Sequence, residues 1–223
     1  MKTINIAIDG PAGAGKSSIA KEISSELGFI YVDTGALYRT VALYMCEHEI
    51  KDDKDIIKNL EKLDISLRFI GGTQCVYLNG ENVTDNIRTP EISMEASRVS
   101  AIPEVREFLF DLQQKIAKEN NVIMDGRDIG TVVLPDADLK IFLTASPEER
   151  ASRRYMELQD KPDCPPYEEI LSDIIARDYQ DTHRKIAPLK QASDAILLDT
   201  TDMGFHEVCK EVIELIENQL DLD

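Results

Sequence analysis

Apolar residues follow two rhythms along this chain. Short runs rich in isoleucine, leucine and valine alternate with longer stretches in which apolar residues recur every three or four positions. Ile4 to Asp9, bounded by Gly10-Pro11, predicts a buried strand that ends in a loop. From Lys16 the period changes: Ile19, Ala20, Ile23 and Leu27 repeat at helical spacing, and Gly28 is the stop. Phe29 to Val32 predicts a second strand, and Ala36 to Glu47 a helix with a broad apolar face. Val122 to Met124, Lys140 to Leu143 and Ala195 to Leu198 predict three more buried strands. After the second of these, Ser146-Pro147-Glu148-Glu149 carries an N-cap, a proline at the first helical position and a capping-box glutamate. Gly204 to Leu220, with Val208, Val212, Leu215 and Ile216 on one face, predicts a closing helix. Strands alternating with helices mean an α/β fold, a parallel sheet covered by helices on both faces.

Asp64 to Thr84 departs from that rhythm. Ile65, Leu67 and Phe69 alternate with Ser66 and Arg68, and Gly71-Gly72 and Asn79-Gly80 are hairpin signals around Cys75 to Leu78. This predicts a small antiparallel insertion. Gln159 to Pro166, with its three prolines, predicts a mobile loop.

Composition narrows the function. The 223 residues suit one domain with a smaller insertion. With 25 Lys+Arg against 42 Asp+Glu the net charge is −17, which excludes a broad nucleic-acid surface and adhesion to an anionic membrane. Cys46, Cys75, Cys164 and Cys209 are widely spaced, without a C-x-x-C pair, so neither a zinc site nor a redox motif is indicated. The first nine residues do not read as a signal peptide, and no apolar run reaches the roughly 18 residues of a membrane span. The expectation is a cytoplasmic monomer.

Gly10-Pro11-Ala12-Gly13-Ala14-Gly15-Lys16-Ser17 fits G-x-x-x-x-G-K-[ST], after a strand and opening a helix. Glycines let backbone N–H groups close on a polyphosphate, and the helix adds its positive end. Lys16 would reach the β- and γ-phosphates, and the Ser17 hydroxyl would meet Mg²⁺. The fold expected is therefore a P-loop NTPase-type sheet. No N-K-x-D run marks a guanine site. A small-molecule kinase needs, in addition, a second anion site and cations around the phosphoryl group in flight. The 11 arginines suit this: Arg39 follows the second strand, Arg127 the third, Arg150, Arg153 and Arg154 share a helix, and Arg177 and Arg184 flank Asp181 on a later helix. Arginines three and four apart on one face repel unless an anion lies against them. Asp125, ending a strand, is either a carboxylate for the metal shell or a turn former before Gly126.

Together these residues resemble the bacterial cytidylate kinase family, ATP-dependent kinases of CMP and dCMP. The resemblance is carried by Ile8 to Ser17, by Asp33-Thr34-Gly35-Ala36-Leu37-Tyr38-Arg39, and most specifically by Met124-Asp125-Gly126-Arg127-Asp128-Ile129-Gly130-Thr131. Ile141 to Ala151, Ala187-Pro188-Leu189 and Ser193-Asp194-Ala195 extend it over essentially the whole chain. It implies one kinase domain: a core of about 1–60 and 105–223, a CMP-binding insertion of about 61–104, and a helical lid of about 150–170. It implies that Gly10, Pro11, Ala12, Gly13, Ala14, Gly15, Lys16, Ser17 and Ser18 hold ATP with Arg150, Arg153 and Arg154. Arg39, Arg127 and Arg177 would hold the CMP phosphate, with Gly126, Thr34, Asp181 and Arg184 near the phosphate and ribose. Ser97, Arg106 and Asp128 would read cytosine. Lys16, Arg127, Arg150, Arg154 and Asp125 would be catalytic, and Mg²⁺ would be held by Ser17 and by Asp125, directly or through water. Thr34 stands where the family often has serine, with the hydroxyl kept.

Base chemistry agrees with the last group. Cytosine offers acceptors at O2 and N3 and a donor at N4, which suit an arginine and a carboxylate, whereas uracil inverts N3 and position 4. Residue by residue, Ser97 also fits an ordinary helix hydroxyl and Arg106 a surface charge. A kinase for UMP or AMP, and a nucleotide-binding switch without transfer, remain the alternatives.

Overall fold

The computed structural model describes residues 3–71, 73–160 and 164–220. In chain order the elements are β1 (Asn5–Asp9), α1 (Lys16–Leu27), β2 (Ile30–Asp33), α2 (Thr34–Glu47), α3 (Asp53–Asn59), β3 (Ile65–Ile70), β4 (Thr73–Leu78) and β5 (Glu81–Asn82). They continue with α4 (Pro90–Val99), α5 (Pro103–Glu119), β6 (Val122–Gly126), β7 (Leu139–Thr144), α6 (Pro147–Leu158), α7 (Tyr167–His183), β8 (Ile196–Asp199) and α8 (Phe205–Gln219).

The main sheet is parallel in the order β2-β6-β1-β7-β8. Its central strand is buried on both faces, with Ile6, Ala7 and Ile8 fully enclosed, which is why these runs lack alternation. On one face Ile8, Ile123 and Ile141 pack against Ile19 and Ile23 of α1 and Val212 and Ile216 of α8. On the other, Ala7, Val32 and Met124 pack against Ile116 of α5 and the short π-helical turn Ile129–Val133. Register sets Asp33 beside Asp125, and Asp9 beside Gly126 and Phe142. The carboxyl ends of three neighbouring strands therefore open on one crevice, as parallel sheets of this kind do at a ligand site.

The predicted insertion is present. β3 and β4 pair antiparallel from Ile65↔Leu78 to Ile70↔Thr73, and β5 adds to β4. Gly71 turns with φ +59°, while its predicted partner Gly72 lies outside the described residues. The inward residues Val76 and Leu78 share a core with Leu37, Val41 and Met45 of α2 and with Ile92 and Val99 of α4. The insertion is thus anchored on α2. Of the predicted proline-rich loop, 161–163 lie outside the described residues, and Pro166 is already the cap of α7.

Three helices had not been read from periodicity. α4 and α5 both start on a proline at the first helical position, Pro90 and Pro103. In α5 the inward face mixes Val105, Leu109 and Ile116 with buried Arg106 and Gln113, which breaks the apolar repeat. Among the described residues, α6 and α7 meet around buried Ala151, Ile170 and Ile174, with Leu158, Tyr167 and Leu171 packed against them. Arg184, expected on the later helix, lies just past the end of α7 in extended conformation (φ −63°, ψ 143°). Among the described residues no helix is long and apolar enough to cross a membrane.

Gly10, leaving β1, fixes the entry to the phosphate loop. A Cβ there would lie 1.9 Å from the carbonyl oxygen of Leu143 in β7. Gly10→Ala must part β1 from β7 at their carboxyl ends and is expected to cost about 1–3 kcal/mol. Urea unfolding reads this as a lower midpoint at unchanged slope, and an unshifted midpoint would refute the close approach.

Candidate active site

The segment from Gly10 to Gly15 wraps the first turn of α1. Gly13 and Gly15 take φ +75° and +88°, and Gly15 caps α1 with no side chain to satisfy its first N–H groups. Those donors point into the cradle. Lys16 is buried, and its Nζ donates to the Pro11 carbonyl at 2.7 Å. Burial, reinforced by the nearby Arg127 charge, pulls its pKa down to about 7. Ser17 and Ser18 are exposed on the first turn, and the Ser17 hydroxyl donates to Asp125 Oδ2 at 2.8 Å.

Asp125 therefore faces the phosphate loop, and its side chain is engaged there and not in the turn at Gly126. Tyr31 donates to its other oxygen at 3.1 Å. Burial, with Asp33 alongside, raises the Asp125 pKa to about 6. Among the described residues no group of three or more His, Cys, Asp or Glu could hold a metal ion. What the chain offers is one hydroxyl and one carboxylate. That donor set fits Mg²⁺, which keeps several waters and takes phosphate oxygens when a nucleotide is bound.

Asp33 is the hub on the neighbouring strand. Its Oδ1 caps α2 by accepting from Ala36 N at 2.9 Å. Its Oδ2 pairs with Arg39 at 2.7 Å and with Arg88, from the insertion, at 3.1 Å. The amide of Gln74 in β4 brackets the Asp33 backbone, accepting from its N–H at 2.9 Å and donating to its carbonyl at 3.3 Å. Gln74 shares the inward face of β4 with Val76 and Leu78, and a polar residue in an apolar register is the signal that could have exposed it.

The remaining arginines fall into two groups. Arg127 Nε donates to Asp181 at 2.8 Å. Burial pushes Asp181 up, but Arg127, Arg177 and Arg184 outweigh it and hold the carboxyl below its usual range. Arg177 lies beside Arg127, Arg39, Asp181 and Asp178, and burial followed by the Arg127 charge lowers its pKa. The Nε atoms of Arg39 and Arg177 are both buried without a hydrogen-bond partner. Such donors are costly unless an anion completes them.

On α6 the expected repulsion is absent, because each arginine has its own carboxylate. Arg150 is buried and pairs with Asp178 through two bonds of 3.0 and 2.5 Å, while also donating to Ala12 O of the phosphate loop at 2.9 Å. Arg153 pairs with Glu149 at 2.9 Å and donates to Thr200 O at 2.6 Å. Arg154 is half exposed, pairs with Glu157, and is not drawn into the cleft. Arg150 thus lies against the phosphate loop, held there by Asp178 and the Ala12 carbonyl.

Behind the phosphate cluster, Asp128 pairs with Arg106 and, at 3.4 Å, with Arg184. Arg106 also donates to the Ser100 carbonyl at 3.2 Å and lies over the Tyr38 ring. Burial raises the Tyr38 pKa to about 12. Arg106 is thus no surface charge. Ser97 is half-buried on α4, and its carbonyl accepts from Ser100 Oγ at 2.8 Å. Thr34 Oγ1 donates to the Asp125 carbonyl at 2.7 Å, and a Cβ on Gly126 would meet that same oxygen at 2.8 Å. Sequence reasoning missed Tyr31, Asp33, Arg88, Ser100 and Asp178, single residues with no spacing to mark them.

The cytidylate kinase family model matches residues 6–218. A cytidylate kinase of Caldicellulosiruptor bescii is 54% identical over 96% of both chains. One of Thermosipho africanus is 51% identical over 95% of this chain and 93% of its own. A crystal structure of an uncharacterized protein from Eubacterium ventriosum shares the fold, with a TM-score of 0.55 at 14% identity over 97% of this chain and 99% of its own. With that family model spanning nearly the whole chain and relatives at half identity end to end, the chain belongs to the cytidylate kinase family.

Proposed function

We propose that this chain transfers the γ-phosphoryl group of ATP to CMP or dCMP, giving ADP and CDP or dCDP. The carrying observation is the Arg106–Asp128–Arg184 cluster buried beside the phosphate arginines. An arginine there can donate to cytosine O2 and N3, and a carboxylate can accept from the N4 amine. Uracil would leave those groups unmatched, at about 1–3 kcal/mol for each buried group left unpaired.

In this reading Arg39, Arg127 and Arg177 hold the CMP phosphate, and the free Nε atoms of Arg39 and Arg177 receive its oxygens. A phosphate oxygen of CMP attacks the γ-phosphorus. That bond forms as the bond to the β–γ bridging oxygen breaks, and ADP leaves. The attacking oxygen is already anionic, so no general base is required. Lys16 and Arg150 are placed to offset charge on the moving phosphoryl group. Ser17 and Asp125 would hold Mg²⁺, which supplies charge neutralisation on the β- and γ-phosphates when bound. The core, the insertion and the α6–α7 lid close around the two nucleotides and shed water that would hydrolyse ATP.

Three measurements test this. Turnover of ATP with each monophosphate should be fastest with CMP or dCMP. Faster UMP or AMP turnover would overturn the substrate, and ATP hydrolysis unstimulated by CMP would indicate a switch. In Arg106→Ala the CMP preference should fall while ATP affinity stays, and an unchanged preference would remove Arg106 from the base site.

Second, at about pH 8.5 Lys16 is largely neutral in the free protein because its pKa is about 7. A bound triphosphate favours the ammonium, so metal-free ATP binding should take up close to one proton. Calorimetry in buffers of different ionisation enthalpy reads this, and proton release would refute it.

Third, Arg177→Met removes a desolvated cation whose Nε lacks a partner. It should lower kcat/KM for CMP by about 100-fold or more, with the melting temperature unchanged or raised. A matching loss of stability would argue that Arg177 is structural.

A further inference from the structure

We propose that Asp9, at the carboxyl end of β1, is a positioning residue for base selection. It caps the 129–133 turn in place of Asp128, and so leaves the Asp128 carboxylate free to face Arg106 and Arg184. The inference rests on the assignment of Arg106 and Asp128 to the base.

The opening N–H groups of any helical turn need acceptors from outside it. An aspartate at the cap position ordinarily supplies one by folding its own side chain back. Asp128 occupies that position here, yet it makes no side-chain cap bond. Its two oxygens go instead to Arg106 and Arg184. The cap comes from a different strand. Asp9 Oδ1 accepts from Ile129 N at 2.8 Å, and Asp9 Oδ2 accepts from Gly130 N at 2.7 Å. Asp9 is only 5% exposed, so no water substitutes for those bonds at low cost.

Its position makes the connection possible. Asp9 lies opposite Gly126 in the β1–β6 ladder and immediately precedes Gly10 of the phosphate loop. One buried carboxylate therefore joins the start of the ATP cradle to the turn that presents Asp128. Without it, the carboxylate at the cap position of the turn, Asp128, becomes the acceptor for the orphaned N–H groups. Asp128 would then be drawn back into the turn, and Arg106 would lose its partner. An asparagine at position 9 offers one oxygen and one NH₂, so it cannot accept from both amides in the geometry that Asp9 uses.

The test is Asp9→Asn, with kcat/KM for CMP and UMP and KM for ATP measured beside the wild type. The CMP-over-UMP preference should fall about tenfold or more, through KM for CMP, while KM for ATP stays within about threefold. In an Arg106→Ala background the same change should lower the preference no further, since both act through one contact. A folded Asp9→Asn enzyme with an unchanged preference overturns the inference. So does a rise in KM for ATP as large as that for CMP, which would assign Asp9 to the phosphate loop. If Asp9→Asn does not fold by circular dichroism, Asp9→Ser, which likewise cannot reproduce both carboxylate acceptors, is judged by the same ratio. Failure of both to fold would make Asp9 a residue of the fold alone, and also overturns the inference. A wild type without a preference for CMP would instead strike the functional reading on which this one stands.

Discussion

Charge out of water is the constraint on which the crevice depends. Lys16, Arg106 and Arg150 are buried together with Asp9, Asp33, Asp125, Asp128 and Asp181. An isolated buried ion is prohibitively costly, so each must find a partner or change protonation. Most find partners: Arg39 and Arg88 on Asp33, Arg127 on Asp181, Arg150 on Asp178, and Arg106 and Arg184 on Asp128. Lys16, Asp9 and Asp125 shift their pKa values instead. The parallel sheet makes this possible by ending β1, β2 and β6 at one level, so that three carboxylates and the phosphate loop share one floor.

The net charge of −17 acquires a local meaning from this pairing. The cleft is not a bare positive surface inside a negative shell. It is a lattice of arginines and aspartates in which cations modestly outnumber carboxylates, with spare donors on Arg39 and Arg177. A nucleotide phosphate entering it completes existing arrangements and competes with aspartates for the same guanidinium groups. Affinity at such a site is a difference between two paired states.

Much of this was legible in the sequence. The unbroken apolar runs located all five strands of the main sheet, and the period of two located the hairpin. The Gly10–Ser17 spacing located the cradle, because a phosphate loop is a local structure with a local signature. Arg127 was visible through its place just beyond a strand, and Asp128 through the family resemblance. What stayed hidden was partnership across the sheet. Gln74 reaches Asp33 across 41 positions, Asp9 reaches Ile129 across 120, and Arg150 reaches Asp178 across 28. No spacing in one sequence encodes those meetings. Helix α5 escaped for a related reason: Arg106 and Gln113 interrupt its apolar face because that face serves the site as well as the core.

The slight contact between α6 and α7 separates two quantities that a melting curve merges. Among the described residues the buried apolar cluster between them is small, Ala151, Ile170 and Ile174, joined by the Arg150–Asp178 pair, whereas the sheet and the insertion rest on extensive cores of their own. A small apolar cluster of this kind favours local opening ahead of global unfolding. Sequence change within it can therefore alter local opening of this helix pair, which carries Arg150 against the phosphate loop, while global unfolding registers little. Temperature adaptation of catalysis in such a molecule has a place to act that is independent of adaptation of the fold.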